Sequence, residues 1–212
     1  MKSTADGISL SRVELTALLA FASQEEADKN KWGVHFHVKG DSVRARAMNG
    51  FASFELTGIN LGRSDQEWMV GRKFLVDAQK PLGTKQVLRL EFAGASLHEG
   101  TVLENDKKLG MWQSDDDASI RQVSFPWETD ELSIPAERRK IAHCSAISTP
   151  YLKLVMLAAQ AVDVEVAHFY SPAAAAGPMI FTVGHDKDTS GLGLIKPLPV
   201  EVVESNENDE AA

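Results

Sequence analysis

Residues 33–56 read GVHFHVKGDSVRARAMNGFASFEL. Val34, Phe36 and Val38 alternate with His35, His37 and Lys39; Val43, Ala45 and Ala47 alternate with Arg44 and Arg46; Ala52, Phe54 and Leu56 alternate with Ser53 and Glu55. Period-two alternation predicts three strands, with one set of side chains buried and the other toward water. The joints carry Gly40-Asp41 and Asn49-Gly50. Asn-Gly is the strongest short hairpin signal, because both of its residues tolerate positive φ. A meander with one apolar face needs a covering element, and the flanking sequence supplies helices.

Before the meander, Ser11-Arg12-Val13-Glu14 has the Ser-x-x-Glu form of a capping box. Leu15, Leu18, Leu19 and Ala22 mark one face of the predicted helix, which runs to about Ser23. After the meander, 59–67 reads as a loop and 70–80 as a short helix, with Phe74, Leu75 and Ala78 as its apolar face and Pro81 ending it. Strands are predicted at 87–92, 96–103, 108–113 and 120–125. Pro126 and Pro135 punctuate a linker over 126–140. Thr149-Pro150 predicts a third helix start, with Thr149 as the cap and Tyr151, Leu154, Val155, Ala158 and Ala161 on its packed face. Strands follow at 164–170, 179–183 and 192–197. A helix followed by three strands thus recurs from Ser11, from Val70 and from Thr149, although the residues themselves differ.

Composition narrows the function. The chain has 212 residues, 43% of them apolar, which suits a folded core. A formal net charge of -8 argues against loose nucleic-acid binding over the whole surface. Glu201, Glu204, Glu207, Asp209 and Glu210 crowd the C-terminal end, so 201–212 reads as a disordered acidic tail. With one cysteine, Cys144, no intrachain disulfide can form. No apolar run suits a signal peptide or a bilayer span, so the expected location is cytoplasmic.

Catalytic signatures are weak. His35 and His37 lie two apart on one strand and share a face, as metal-binding His-x-His pairs do, but no third ligand follows from the spacing. A small metal-dependent enzyme built on that pair stands against an ordinary sheet face. Asp115-Asp116-Asp117 reads as an exposed turn, lacking the ligand spacing of a calcium loop. Gly191-Leu192-Gly193 is too short for a dinucleotide loop. The expectation is a protein that is not an enzyme, with no metal and no cofactor. Trp32, Trp68, Trp112 and Trp127 read as packing residues.

The order of these motifs resembles the bacterial DNA polymerase III beta sliding clamp family. Met48-Asn49-Gly50-Phe51-Ala52 stands where the family has a polar turn into its third strand. Val70-Gly71-Arg72-Lys73-Phe74-Leu75 is similar to the opening of the second helix of a clamp domain. Ser124-Phe125-Pro126-Trp127 and Ile134-Pro135 resemble the domain-closing segment, and Gly193-Leu194-Ile195-Lys196-Pro197-Leu198 resembles the C-terminal strand. The resemblance implies an α+β, DNA-clamp-like fold of repeated helix plus antiparallel three-strand units. These units form a curved wall with helices on one side and sheets on the other. It further implies a clamp-like domain over 1–128 and a clamp-like half over 129–200, short of a complete clamp subunit.

In such a family the chain would be a processivity factor in a homo-oligomeric ring. Its partners would be duplex DNA, DNA polymerase and other clamp-binding proteins, with no membrane. The family's hydrophobic peptide pocket, carried over by position, would use Gly50, Phe51, Pro135, Leu194, Ile195, Pro197 and Leu198. Lys196 stands where the family has an apolar residue, and Phe51 and Ala52 replace a polar pair, so peptide specificity would differ. DNA contacts would fall to Arg12, Arg72, Lys73, Lys80, Arg138, Arg139, Lys140 and Lys153, a thin basic set for a phosphate-facing surface. A clamp-like interaction protein that does not encircle DNA is the alternative.

Overall fold

The computed structural model describes residues 1–5, 7–24, 33–93, 96–104, 107–112, 120–121, 148–170, 179–184 and 190–195. The Asp115–Asp117 turn, the 126–140 linker, Cys144 and the acidic tail lie outside the described residues. The elements run β1 (Lys2–Thr4), β2 (Gly7–Ser11), α1 (Arg12–Phe21), β3 (Gly33–Lys39), β4 (Ser42–Met48), β5 (Ala52–Leu61), β6 (Gln66–Gly71), α2 (Arg72–Gln79) and β7 (Val87–Ala93). They continue with β8 (Ser96–Glu104), β9 (Lys107–Trp112), β10 (Ile120–Arg121), α3 (Thr149–Ala161), β11 (Ala167–Tyr170), β12 (Met179–Val183) and β13 (Ser190–Ile195).

The capping box forms as the sequence predicts. Ser11 Oγ accepts from the Glu14 N–H at 3.3 Å, and the Ser11 N–H donates to Glu14 Oε2 at 2.7 Å. The other Glu14 oxygen pairs with the buried Met1 ammonium. Leu15, Leu18, Leu19 and Ala22 are buried, as are Phe74, Leu75 and Ala78 of α2. α3 caps one residue earlier than expected, at Ser148, whose extended backbone precedes a first turn containing Pro150.

Each helix leads into three antiparallel strands: α1 into β3-β4-β5, α2 into β7-β8-β9 and α3 into β11-β12-β13. The first two units exchange their leading strands. β6, which precedes α2, pairs with β3, while β2, which precedes α1, pairs with β7. The result is an α+β fold, a strongly curled mixed sheet with helices against one side.

β5 is the strand where the sheet forks. One edge takes β4 along most of its length. The other edge takes β13 antiparallel, from Thr57↔Ser190 to Ala52↔Ile195, and then β1 parallel, from Ile59 to Leu61. Gly58 sits at the fork, where a Cβ would lie 2.2 Å from the Met1 carbonyl oxygen. Phenyl rings fasten the third unit to the first. Phe21 lies 5.3 Å from Phe54 and 6.1 Å from Phe181, and Phe54 and Phe181 stack at 6.3 Å. Gly191 and Gly193 of β13 leave the space these rings fill, which gives the Gly-Leu-Gly sequence a packing role.

Three expectations need correction. Ile59–Leu61 continues β5, and Gln66–Gly71 is strand β6, so the predicted 59–67 loop shrinks to the bend between them. The second helix begins at Arg72, because Val70 is a strand residue paired with Val34. The polar face of the meander is also not uniformly wet: His35 is 1% exposed and Arg46 2%. Met69, His35, Arg46, Glu55 and Leu192 lie opposite one another across five strands, so the central residues are walled in from both sides.

Candidate peptide-binding site and nucleic-acid interface

The β4–β5 turn is built by Asn49. Its side-chain oxygen accepts from the N–H groups of Phe51 and Ala52 at 3.1 and 3.0 Å, and the Asn49 and Ala52 backbones close the hairpin at 3.1 Å. Gly50 takes φ +76°, in the left-handed region that favours glycine. The Ser23 N–H donates to the Met48 carbonyl at 3.0 Å, tying the end of α1 to the turn. A rigid turn therefore presents Phe51, which is 61% exposed.

The end of β13 arrives beside this turn. Ile195 pairs with Ala52 and Leu194 with Ser53, while Met179 and Ile180 of β12 pair with Ile195 and Leu194. Gly50, Phe51, Leu194 and Ile195 are thus brought to one end of the sheet. Ile195 points into the core and Leu194 to the opposite face. Leu194 falls in a cross-strand row with Met48, Ser53 and the buried Ile180. Sequence reading missed Met48 and Ile180, since only the β4-β5-β13-β12 register places them there. Pro135, Pro197 and Leu198 lie outside the described residues.

The cations predicted for DNA are spread over the helices. Arg12 on α1 donates from Nη1 to the Leu82 carbonyl at 2.7 Å. Lys80, at the end of α2, pairs with Asp77 at 2.6 Å. Arg72 is half-buried, and Lys73 and Lys153 are exposed. Arg138, Arg139 and Lys140 lie outside the described residues. Two of the five described cations therefore already hold protein acceptors.

On the opposite face of the sheet, Arg46 donates to Glu55 Oε2 from Nε at 2.9 Å and also from Nη2, with Arg44 Nη1 at 3.8 Å from the other Glu55 oxygen. Burial lowers the Arg46 pKa and Glu55 opposes that shift. Arg44 Nη2 reaches His37 Nδ1 at 3.1 Å. A guanidinium only donates, so Nδ1 is the acceptor and the His37 proton sits on Nε2. Burial, then the Arg44 charge, lowers the His37 pKa below its ordinary 6.5. His35 is enclosed between Arg46 and Met69. Among the described residues no group of three or more His, Cys, Asp or Glu side chains could hold a metal ion.

No protein-family model and no curated protein sequence matches the chain. Solved structures do match. The DNA polymerase III beta subunit of Thermotoga maritima superposes with a TM-score of 0.59 at 12% identity, covering 92% of this chain and 66% of that one. The beta chain of Streptococcus pneumoniae gives 0.58 at 14% identity, with 92% and 65% covered. The DNA polymerase sliding clamp of Pseudomonas aeruginosa gives 0.55 at 10% identity, with 92% and 66% covered. The fold is that of the sliding clamps, and the chain spans about two thirds of the length of those it matches.

Proposed function

We propose that this chain is a clamp-like replication protein: a cytoplasmic, non-enzymatic processivity factor whose copies close into a ring around duplex DNA. It would hold DNA polymerase and other clamp-binding proteins through the pocket beside the β4–β5 turn. On this reading residues 1–128 form one clamp-like domain and 129–200 a further half. The observation that carries it is the β13–β5 pairing, which continues the sheet from the first unit into the third and sets α3 beside α1. Repeating such a join bends helix-backed sheets into an arc. The pocket would use Phe51 and Leu194, with Gly50 shaping the turn, Ile195 supporting it from the core, and Pro135, Pro197 and Leu198 completing it. An apolar cleft suits short peptides because burying a few large side chains gives affinity over a small area. Arg12, Arg72, Lys73, Lys80, Arg138, Arg139, Lys140 and Lys153 would supply the phosphate contacts.

The test is light scattering for a closed oligomer, combined with retention on circular but not linear DNA. A monomer that slides off both would reject encirclement. The bonds from Arg12 to Leu82 and from Lys80 to Asp77 favour a second reading, a clamp-like module that binds partner proteins without encircling DNA. Peptide binding by a monomer with no DNA retention would select it.

A further inference from the structure

A recess lies on the helix side, away from the β4–β5 turn. It has a volume of about 410 Å³ and is lined by Val13 at the start of α1 and by Gln160, Asp163, Val164 and Glu165 at the end of α3. Val13 and Val164 are its apolar side chains; Val13 is 41% exposed, and Met156, one turn before Gln160 on α3, is 61% exposed.

Three sources of negative potential meet there. Asp163 and Glu165 supply carboxylates, and α3 ends at the recess with no basic residue in its last turn to offset the helix dipole. Among the described residues neither carboxylate has a cationic partner. The helix closes with Val164 N–H on the Ala159 carbonyl at 3.1 Å and Asp163 N–H on that of Gln160 at 3.2 Å. That ending puts Asp163 at φ 55°, where glycine is the usual residue. The chain thus carries a carboxylate at the recess in place of the residue the backbone favours.

We infer that this recess docks a segment of a partner protein in which Arg or Lys stands next to a large apolar residue. The apolar side chain covers Val13 and Val164, and the cation lies between Asp163 and Glu165. A basic, apolar ligand complements a site that is both, whereas duplex DNA carries the wrong charge for it. The inference needs neither ring closure nor the β4–β5 pocket.

The test uses two fluorescein-labelled peptides, Gly-Leu-Arg-Leu-Arg-Gly and its Gly-Leu-Glu-Leu-Glu-Gly counterpart, read by polarisation against the full chain at low ionic strength. The Arg peptide binds and the Glu peptide does not. Asp163→Asn with Glu165→Gln weakens binding by about tenfold or more, and Asn keeps the left-handed backbone. Val13→Lys, which puts a cation in the recess from within, does the same. Asp41→Asn with Asp65→Asn removes the same charge elsewhere and leaves binding unchanged. No binding of the Arg peptide, equal binding of both peptides, or an equal loss in the distant pair overturns the assignment. DNA retention and clamp-motif peptide binding are measured on the same variants, so a failure here is separate from a failure of the clamp reading.

Discussion

Gly193 lies directly beneath the ring of Phe181: a Cβ at 193 would sit 2.2 Å from two ring carbons and 2.6 Å from the Ser53 carbonyl oxygen. The ring stacks in turn on Phe54 and Phe21, so the methyl group missing at 193, like the one missing at 191, lets the third unit close on the first. Gly193→Ala forces the ring or the strand to move, and overpacking of this kind costs about 1–3 kcal/mol. For a chain of this size each kcal/mol lowers Tm by about 2–4 °C. Gly83→Ala is the comparison, since its Cβ would meet only the flexible Gln86 side chain at 3.3 Å. Calorimetry showing equal Tm values for the two variants would remove the aromatic join as a stabilising feature.

The Arg46–Glu55 pair gives an asymmetric expectation. Glu55→Gln leaves the Arg46 charge buried without its carboxylate, a loss of about 3–5 kcal/mol. Arg46→Met leaves Glu55 with Arg44, already 3.8 Å away, and is milder. The double variant Arg46→Met/Glu55→Leu recovers most of the loss, because well-packed apolar replacements of buried pairs are often neutral or better. Urea denaturation of the three variants checks the order. A double variant as unstable as Glu55→Gln would mean that the pair itself, and not the buried charge left without Glu55, carries the energy.

Much of this fold was legible in local sequence because local physics made it. Ser11 and Glu14 cap a helix whatever surrounds them, and Asn49-Gly50 sets a hairpin through its own backbone. The repeat of helix and three strands followed from apolar spacing, and the resemblance to the clamp family implied how the units assemble. What stayed hidden depends on partners distant in sequence. Trp68, Met69 and Val70 are all buried, so β6 lacks the alternation that marks a half-wet strand. His35 and Arg46 read as solvent-facing because nothing in sequence shows that Met69 and Glu55 flank them. Of the candidate pocket, the turn was visible, but the Met48 and Ile180 neighbours of Leu194 required the register of four strands.

His37 makes stability depend on pH. Its folded pKa lies below 6.5, from burial first and the Arg44 charge second, so the native state resists the proton that the unfolded chain takes up. The contribution is complete above about pH 6.5, the unfolded value, and is lost as pH falls through that value toward the folded one. Wild type therefore loses more stability between neutral and mildly acidic pH than His37→Gln, which cannot titrate. Urea midpoints of both proteins on either side of the histidine range measure the difference, and parallel curves would show that His37 titrates alike in both states.

Pocket variants must respect which way β13 faces. Ile195→Asp would bury a carboxylate in the core and lose the fold, so loss of binding in that variant carries no information. Phe51→Asp and Leu194→Asp change an exposed turn residue and a half-buried side chain on the opposite face. If both contact the bound peptide, each loses about 2 kcal/mol or more, as central apolar contacts do, or roughly 20- to 30-fold in Kd. Polarisation with a labelled clamp-motif peptide reads the affinity, while circular dichroism and Tm confirm that the sheet is intact. Wild-type affinity in a folded Phe51→Asp/Leu194→Asp double variant would reject the proposed peptide site at the β4–β5 turn.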